Sequence, residues 1–235
     1  MKAIKSNFII ALLLAIILIA CRNQQRGRAN EIHSFFTKEV IWPLWEAQEW
    51  DEPETIVING EEAESENQLY VFSKWSNDSL YFYFKVEDTD LRAYQTENDH
   101  PELFLDDMVE ILIDTGNHKD SCWSEDDIVY HVNLLGVKKD DRGSKECITN
   151  PEWNGNARIS LQLFGTLNDT TDIDTGYLIT LAFPWDELRR KPERGLKMGI
   201  NFANGDNDGK GRQIFDWVGA WPMRSPYAFG ELILK

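Results

Sequence analysis

The chain has 235 residues, with 40 acidic against 24 basic side chains, a formal net charge of −16 and 42% hydrophobic residues. So acidic a balance argues against nucleic acid as a partner and suits a neutral or cationic ligand, or bound calcium. The length fits one all-β domain, a class that runs past about 200 residues without splitting, and nothing in the composition marks a second.

At the N-terminus Lys2 and Lys5 precede an apolar run from Phe8 to Ala20. That run has the length of an export-signal core and falls short of the about 20 residues a membrane span needs. Leu18-Ile19-Ala20-Cys21 resembles the lipobox of bacterial lipoproteins, where a small residue precedes a cysteine that is acylated and becomes the first residue. Residues 1–20 are therefore expected to be a cleaved signal, with Cys21 the lipidation site that anchors the chain to a membrane of the bacterial cell envelope. The plainer alternative is a signal peptide that happens to precede a cysteine. Losing residues 1–20 removes two lysines and no acid, which takes the charge from −16 to −18. Polar residues 21–30 read as a flexible tether, and residues 31–53 as an N-terminal arm whose Trp42, Trp45 and Trp50 cap the core.

Residues 54–235 read as an antiparallel β-sandwich, since apolar and polar residues alternate from about Thr55 onwards with turn residues between the runs. The strands expected are Gln68 to Ser73, Leu80 to Val86, Met108 to Asp114, Ile128 to Leu135, Arg158 to Phe164, Tyr177 to Phe183, Met198 to Phe202, Gln213 to Val218 and Glu231 to Leu234. Pro184 to Arg190 has the pattern of one short helix, with Pro at its first turn and Gly195 beyond its end. Asp114 to Asp127 and Lys138 to Asn156 read as surface loops, and their Trp123 and Trp153 are candidates for an exposed binding surface. Asp206-Asn-Asp-Gly-Lys-Gly211 has the oxygen-rich look of a calcium loop, but Asp-Gly is a hairpin signal and the glutamate of an EF-hand is absent. Cys122 and Cys147 would sit in an oxidising compartment, where they either pair or remain apart.

Four segments carry a resemblance: Leu80-Tyr-Phe-Tyr-Phe-Lys-Val-Glu-Asp88, Asp107-Met-Val-Glu-Ile-Leu-Ile-Asp114 followed by Gly-Asn-His-Lys119, Tyr130-His-Val-Asn133, and Phe229-Gly-Glu-Leu-Ile-Leu-Lys235. In order and spacing they resemble carbohydrate-binding module family 9 and the related sandwich domains that include the haem-binding DOMON type. The resemblance implies a non-catalytic module that grips an oligosaccharide or polysaccharide between two aromatic rings, with calcium as a structural ion elsewhere. Its first aromatic clamp, a tryptophan in the family, falls on Phe104; its second falls on Trp221 or Tyr227. The strand carboxylate falls on Glu110, the strand asparagine on Asn133, and the position of an arginine two residues earlier on His131. The calcium candidates it implies are Asp114, Glu125, Asp126 and Asp127.

The residues themselves support part of this. Glu110 shares a strand face with Met108 and Leu112, opposite Val109, Ile111 and Ile113. A carboxylate amid apolar neighbours calls for a partner or a ligand. If Ile128 to Leu135 pairs beside it, His131 and Asn133 share one face and converge on Glu110; in the plainer alternative these groups satisfy one another inside the fold. No Gly-x-Ser-x-Gly, His-Glu-x-x-His or phosphate loop is present, and the four histidines lack metal-ligand spacing, so a binding protein is expected rather than an enzyme. The rival readings are a haem protein with Met108, Met198 or His131 as axial ligands and a partner-binding lipoprotein whose sugar site has decayed.

Overall fold

The computed structural model describes residues 30–38, 42, 55–59, 65–209, 211–219 and 224–235. Cys21 and Trp221 lie outside them, as does almost all of the arm beyond Lys38. Thirteen strands follow in chain order: β1 (Glu31–Phe36), β2 (Ile56–Asn59), β3 (Gln68–Trp75), β4 (Ser79–Glu87), β5 (Met108–Asp114), β6 (Asp127–Asn133), β7 (Lys138–Gly143), β8 (Thr149–Asn150), β9 (Arg158–Phe164), β10 (Gly176–Pro184), β11 (Lys197–Asp206), β12 (Gln213–Asp216) and β13 (Gly230–Leu234).

Period-two patterning sorts these strands into two facing layers. In β4, Leu80, Phe82, Phe84 and Val86 point inward, and in β5 Val109, Ile111 and Ile113 do the same from the other side. The first layer runs β8-β7-β6-β5-β11-β13, with β12 also on β11; the second runs β3-β4-β10-β9, with β2 also on β3. Edge-to-face rings join the layers: Phe202 of β11 lies 5.6 Å from Phe82 and 5.9 Å from Phe84 of β4. Tyr130 of β6 lies 5.1 Å from Phe183 of β10. Such buried aromatics dominate the energetics of a sandwich core.

The architecture is the expected all-β sandwich, with local differences. Glu31–Phe36, expected as arm, is a strand: its first four residues pair parallel with β13 and its last two pair parallel with β3, stitching the layers together. Lys138–Gly143, expected as loop, is β7. Its sequence Lys-Lys-Asp-Asp-Arg-Gly shows no apolar alternation because polar partners hold it: Lys138 reaches Asp140 and the Gly155 carbonyl, and Arg142 donates to the carbonyls of Glu125 and Glu187. The helix expected over Pro184 to Arg190 is a set of turns instead. Leu188 N–H donates to Pro184 O, but Arg189 takes a positive φ of 53°, which ends any right-handed helix after that turn. β11 and β12 pair antiparallel as the expected hairpin, with φ positive at Gly209. Cys122 and Cys147 form a disulfide that ties the β5–β6 loop to the β7–β8 loop.

Candidate functional site

The register of the first layer lines up five residues across it. Asp216 stands opposite Ala203, Ala203 opposite Glu110, Glu110 opposite His131, and His131 opposite Lys139. Opposed residues in an antiparallel ladder share a face, and this row lies on the side away from the main core. Around it Leu112, Val129, Ala203 and Phe229 pack together with Trp123 and Ile214, forming a small apolar floor.

Glu110 and His131 are both buried. Glu110 Oε1 lies 3.0 Å from His131 Nε2 and accepts a hydrogen bond from Arg224 Nε at 3.0 Å. His131 Nδ1 sits 3.2 Å from the Lys139 carbonyl, which can only accept, so Nδ1 carries a proton and Nε2 is the nitrogen that Glu110 and the Arg224 guanidinium both address. Burial alone would push the Glu110 carboxyl up, but the His131 ring and the Arg224 guanidinium outweigh it and hold the group at about 2. Arg224 is in turn placed by its own backbone, whose carbonyl accepts from Trp123 Nε1 at 2.7 Å. Its side chain remains 41% exposed, so the polar edge that this cluster offers to solvent is a guanidinium.

Two of the aromatic candidates present open surface: Phe104, in the 3₁₀ turn Leu103–Leu105, is 41% exposed, and Tyr227, in the 3₁₀ turn Pro226–Ala228, is 53% exposed. The Arg212 guanidinium lies over the Phe104 ring, 5.3 Å from its centroid. Asn133 shares the face of His131 but belongs to the loop network. It donates to Gln95 O and Asp106 Oδ2 and accepts from the backbone of Leu135 and Val137, which uses both of its donors and both acceptor sites. Trp153 packs against the main core with its ring edge-on to Tyr130. Arg224 and Arg212 were not singled out by sequence, since both lie in segments without periodicity. Of the haem-ligand candidates, Met198 lies in the main core and Met108 beside Leu103 and Val137, whereas His131 lies on the outer face.

The calcium candidates resolve differently from expectation. Asp114 and Asp127 do face each other across β5 and β6, each with an Oδ1 lacking a hydrogen-bond partner. Asp126, however, turns to His118 at 3.5 Å and Glu125 to Lys145 at 3.9 Å, so the four do not gather. Among the described residues, the one group of three metal-ligating side chains within 4.8 Å of one another is Asp88, Asp107 and Asp206. All three are buried, and burial pushes Asp88 up to about 7 and, with the Asp88 charge added, Asp107 up to about 9. Asp206 accepts from Ser65 Oγ at one oxygen, while its Oδ1 has no partner. Packed carboxylates of this kind cannot all ionise without a cation, and an all-oxygen donor set with an orphaned oxygen fits calcium. The trio comes from just past β4, just before β5 and the last residue of β11, so no sequence spacing announces it.

A family model described as "Carbohydrate family 9 binding domain-like" matches residues 43–235. The chain belongs to that family. The family 9-like domain is also similar to two curated xylanases named endo-1,4-beta-xylanase A. It is 25% identical over 197 residues to the protein from Thermotoga neapolitana and 24% identical over the same length to that from Thermotoga maritima. Each match covers 81% of this chain but only 16% of the xylanase, about a sixth of its length. Among solved structures, a family 9 carbohydrate-binding module from Caldicellulosiruptor kristjanssonii in complex with cellotriose matches with a TM-score of 0.65 and 20% identity, over 87% of this chain and 93% of that one. The same source's module with glucose gives 0.64 and 22%, over 87% and 95%. A putative carbohydrate-binding protein from Bacteroides uniformis gives 0.63 and 12%, over 88% and 100%. At these identities the structures speak for the fold.

Proposed function

We propose that this family 9-like domain is a non-catalytic carbohydrate-binding module, anchored through Cys21 to the bacterial envelope, that holds a saccharide over the outer face of the first layer. The observation that carries the reading is the Glu110 cluster: a carboxylate kept ionised on a sheet face, bridged to an exposed guanidinium, in a molecule whose Phe104 and Tyr227 rings stand open. A pyranose has apolar C–H faces that lie on aromatic rings and hydroxyls that need fixed donors and acceptors. Arg224 supplies donors, and the ion pair beneath fixes their direction. Family membership and the sugars held by the two Caldicellulosiruptor modules support the same class of ligand. Calcium bound by Asp88, Asp107 and Asp206 would tie the end of β4 to β5 and β11; it would supply cross-linking charge, not chemistry.

Isothermal titration of the mature chain against glucose, cellobiose, cellotriose and xylo-oligosaccharides tests the reading. Heat that saturates with at least one sugar, and is lost in Arg224→Ala and weakened in Phe104→Ala, is the expected result; silence across a broad sugar panel refutes it. Palmitate labelling of wild type and not of Cys21→Ser tests the anchor independently.

A further inference from the structure

We propose that the saccharide bound here carries an anionic substituent, a uronate carboxylate or a sulfate ester, and that Arg212 together with Arg224 receives it. This presupposes the carbohydrate reading above and narrows its ligand. In a chain of net charge −16, the approach to the outer face is flanked by two guanidiniums. Among the described residues, Glu110 is the counter-charge that both address, and it is already engaged. Glu110 Oε1 is bridged to Arg224 and to His131. The carboxylate of Asp216, on the same row, accepts from Asn201 Nδ2 at 2.8 Å.

Among the described residues, Arg212 is left without a paired carboxylate: it forms no ion pair, and its Nε is buried with no hydrogen-bond partner. Its contact is the face of Phe104. Burial and the neighbouring Arg224 charge both disfavour its cationic form, with Glu110 as the favourable influence. A plain structural role, a guanidinium lying on a ring, accounts for the stacking through the cation–π attraction. It does not account for the buried Nε, because an unmade hydrogen bond at a charged donor is costly. A guanidinium has five donors in a planar fork that matches a carboxylate or sulfate. A neutral hydroxyl satisfies one donor and leaves the charge unopposed. A sugar seated against Phe104 meets Arg212 first, so an acidic group on that sugar is placed to complete it.

The test is titration of the full mature chain with matched pairs: glucose against glucuronic acid and glucose 6-sulfate, and galactose against galacturonic acid, with inorganic sulfate and acetate as controls. The expected result is an anionic sugar binding at least about tenfold more tightly than its neutral parent, the factor that one charge-assisted hydrogen-bond pair supplies. That margin should shrink as salt rises from about 0.01 M to about 1 M, and the better of the two acidic groups identifies the source. Arg212→Gln should remove most of the margin. Arg212→Lys, which keeps the charge and loses the fork, should keep part of it, with thermal melts confirming that both variants fold. A neutral parent that binds as tightly overturns the anionic ligand and leaves the carbohydrate reading standing. Inorganic sulfate binding as tightly as the sulfated sugar shows a simple anion site and also overturns it. No response to any sugar removes both readings.

Discussion

Replacing Glu110 with glutamine removes the charge at the centre of the site while keeping the shape. The carboxyl is held at about 2 against an ordinary value of 4.5, which corresponds to about 3 kcal/mol of preference for the ionised form in the folded state. Glu110 is itself buried, but the Arg224 side chain that faces it is 41% exposed, and solvent screening at that partner brings the expected loss to about 1–3 kcal/mol. For a domain of this size that lowers the melting temperature by about 3–10 °C. The sign with pH follows from a depressed acid: its stabilisation is complete above the unfolded value near 4.5 and is lost as pH falls through the folded value near 2. Wild type and Glu110→Gln should therefore differ most at neutral pH, and the gap should close between pH 4.5 and pH 2 in parallel urea titrations. A gap that stays constant across that range, or never exceeds about 0.5 kcal/mol, within the scatter of ordinary surface substitutions, refutes the assignment of Glu110 as an ion-paired carboxylate.

Asn133→Ala removes four internal hydrogen bonds and should destabilise the fold by about 2–4 kcal/mol in denaturant unfolding; a neutral effect would show that the Gln95–Asp106 loop does not depend on it. Converting Cys122 and Cys147 to serine opens a link across a sequence separation of 25, worth about 3 kcal/mol by loop entropy. Mass spectrometry of the unreduced wild type should show two hydrogens fewer than the dithiol. If the Asp88, Asp107 and Asp206 trio binds calcium, saturation at about a hundredfold excess over the dissociation constant adds about 3 kcal/mol. Adding a chelator should then lower the melting temperature of wild type by several degrees and leave Asp206→Asn unmoved. Equal chelator responses in the two would place any ion elsewhere. Phe202→Ala, at the ring cluster joining the layers, should cost about 3–5 kcal/mol.

Legibility followed periodicity. Met108–Asp114 and Arg158–Phe164 coincide with their expected spans. On the condition that β6 pairs with β5, two-residue alternation puts Glu110 and His131 on one face, and the register of β5 and β6 sets the two opposite each other. Where polar contacts take over from apolar burial the pattern vanishes. β7 has an all-polar sequence closed by Lys138, Asp140 and Arg142, and β1 is a strand because β13 and β3 offer it edges on both sides. The same limit hid half of the candidate site. Arg212 and Arg224 reach it from loops, and Asp88, Asp107 and Asp206 meet only because three distant strand ends coincide. The Asp206 hairpin shows both outcomes at once. Its turn chemistry was correctly legible, while its first aspartate also belongs to a cluster that only the tertiary fold assembles.

His131 stands where the family resemblance places an arginine, and the structure supplies the guanidinium from the other side. Arg224 reaches down from the loop before β13 to the Glu110 carboxylate, which His131 faces from the neighbouring strand. In this chain the guanidinium that meets Glu110 is carried by a loop and not by a ladder position. That loop is held by the Trp123 indole on the Arg224 carbonyl, and Trp123 adjoins Cys122 of the disulfide. A guanidinium on a rigid strand is positioned by the sheet; one on a loop is positioned by whatever packs against it. Under the proposed function, the ligand preference of this module would depend on a chain running from the disulfide through Trp123 to Arg224. Trp123→Phe, which keeps the ring and loses the N–H, should weaken sugar binding in titration through Arg224, although the indole is placed as a support and not as a ligand. If Trp123→Phe binds as the wild type does, the loop holds Arg224 without it, and the dependence on that chain is disproved.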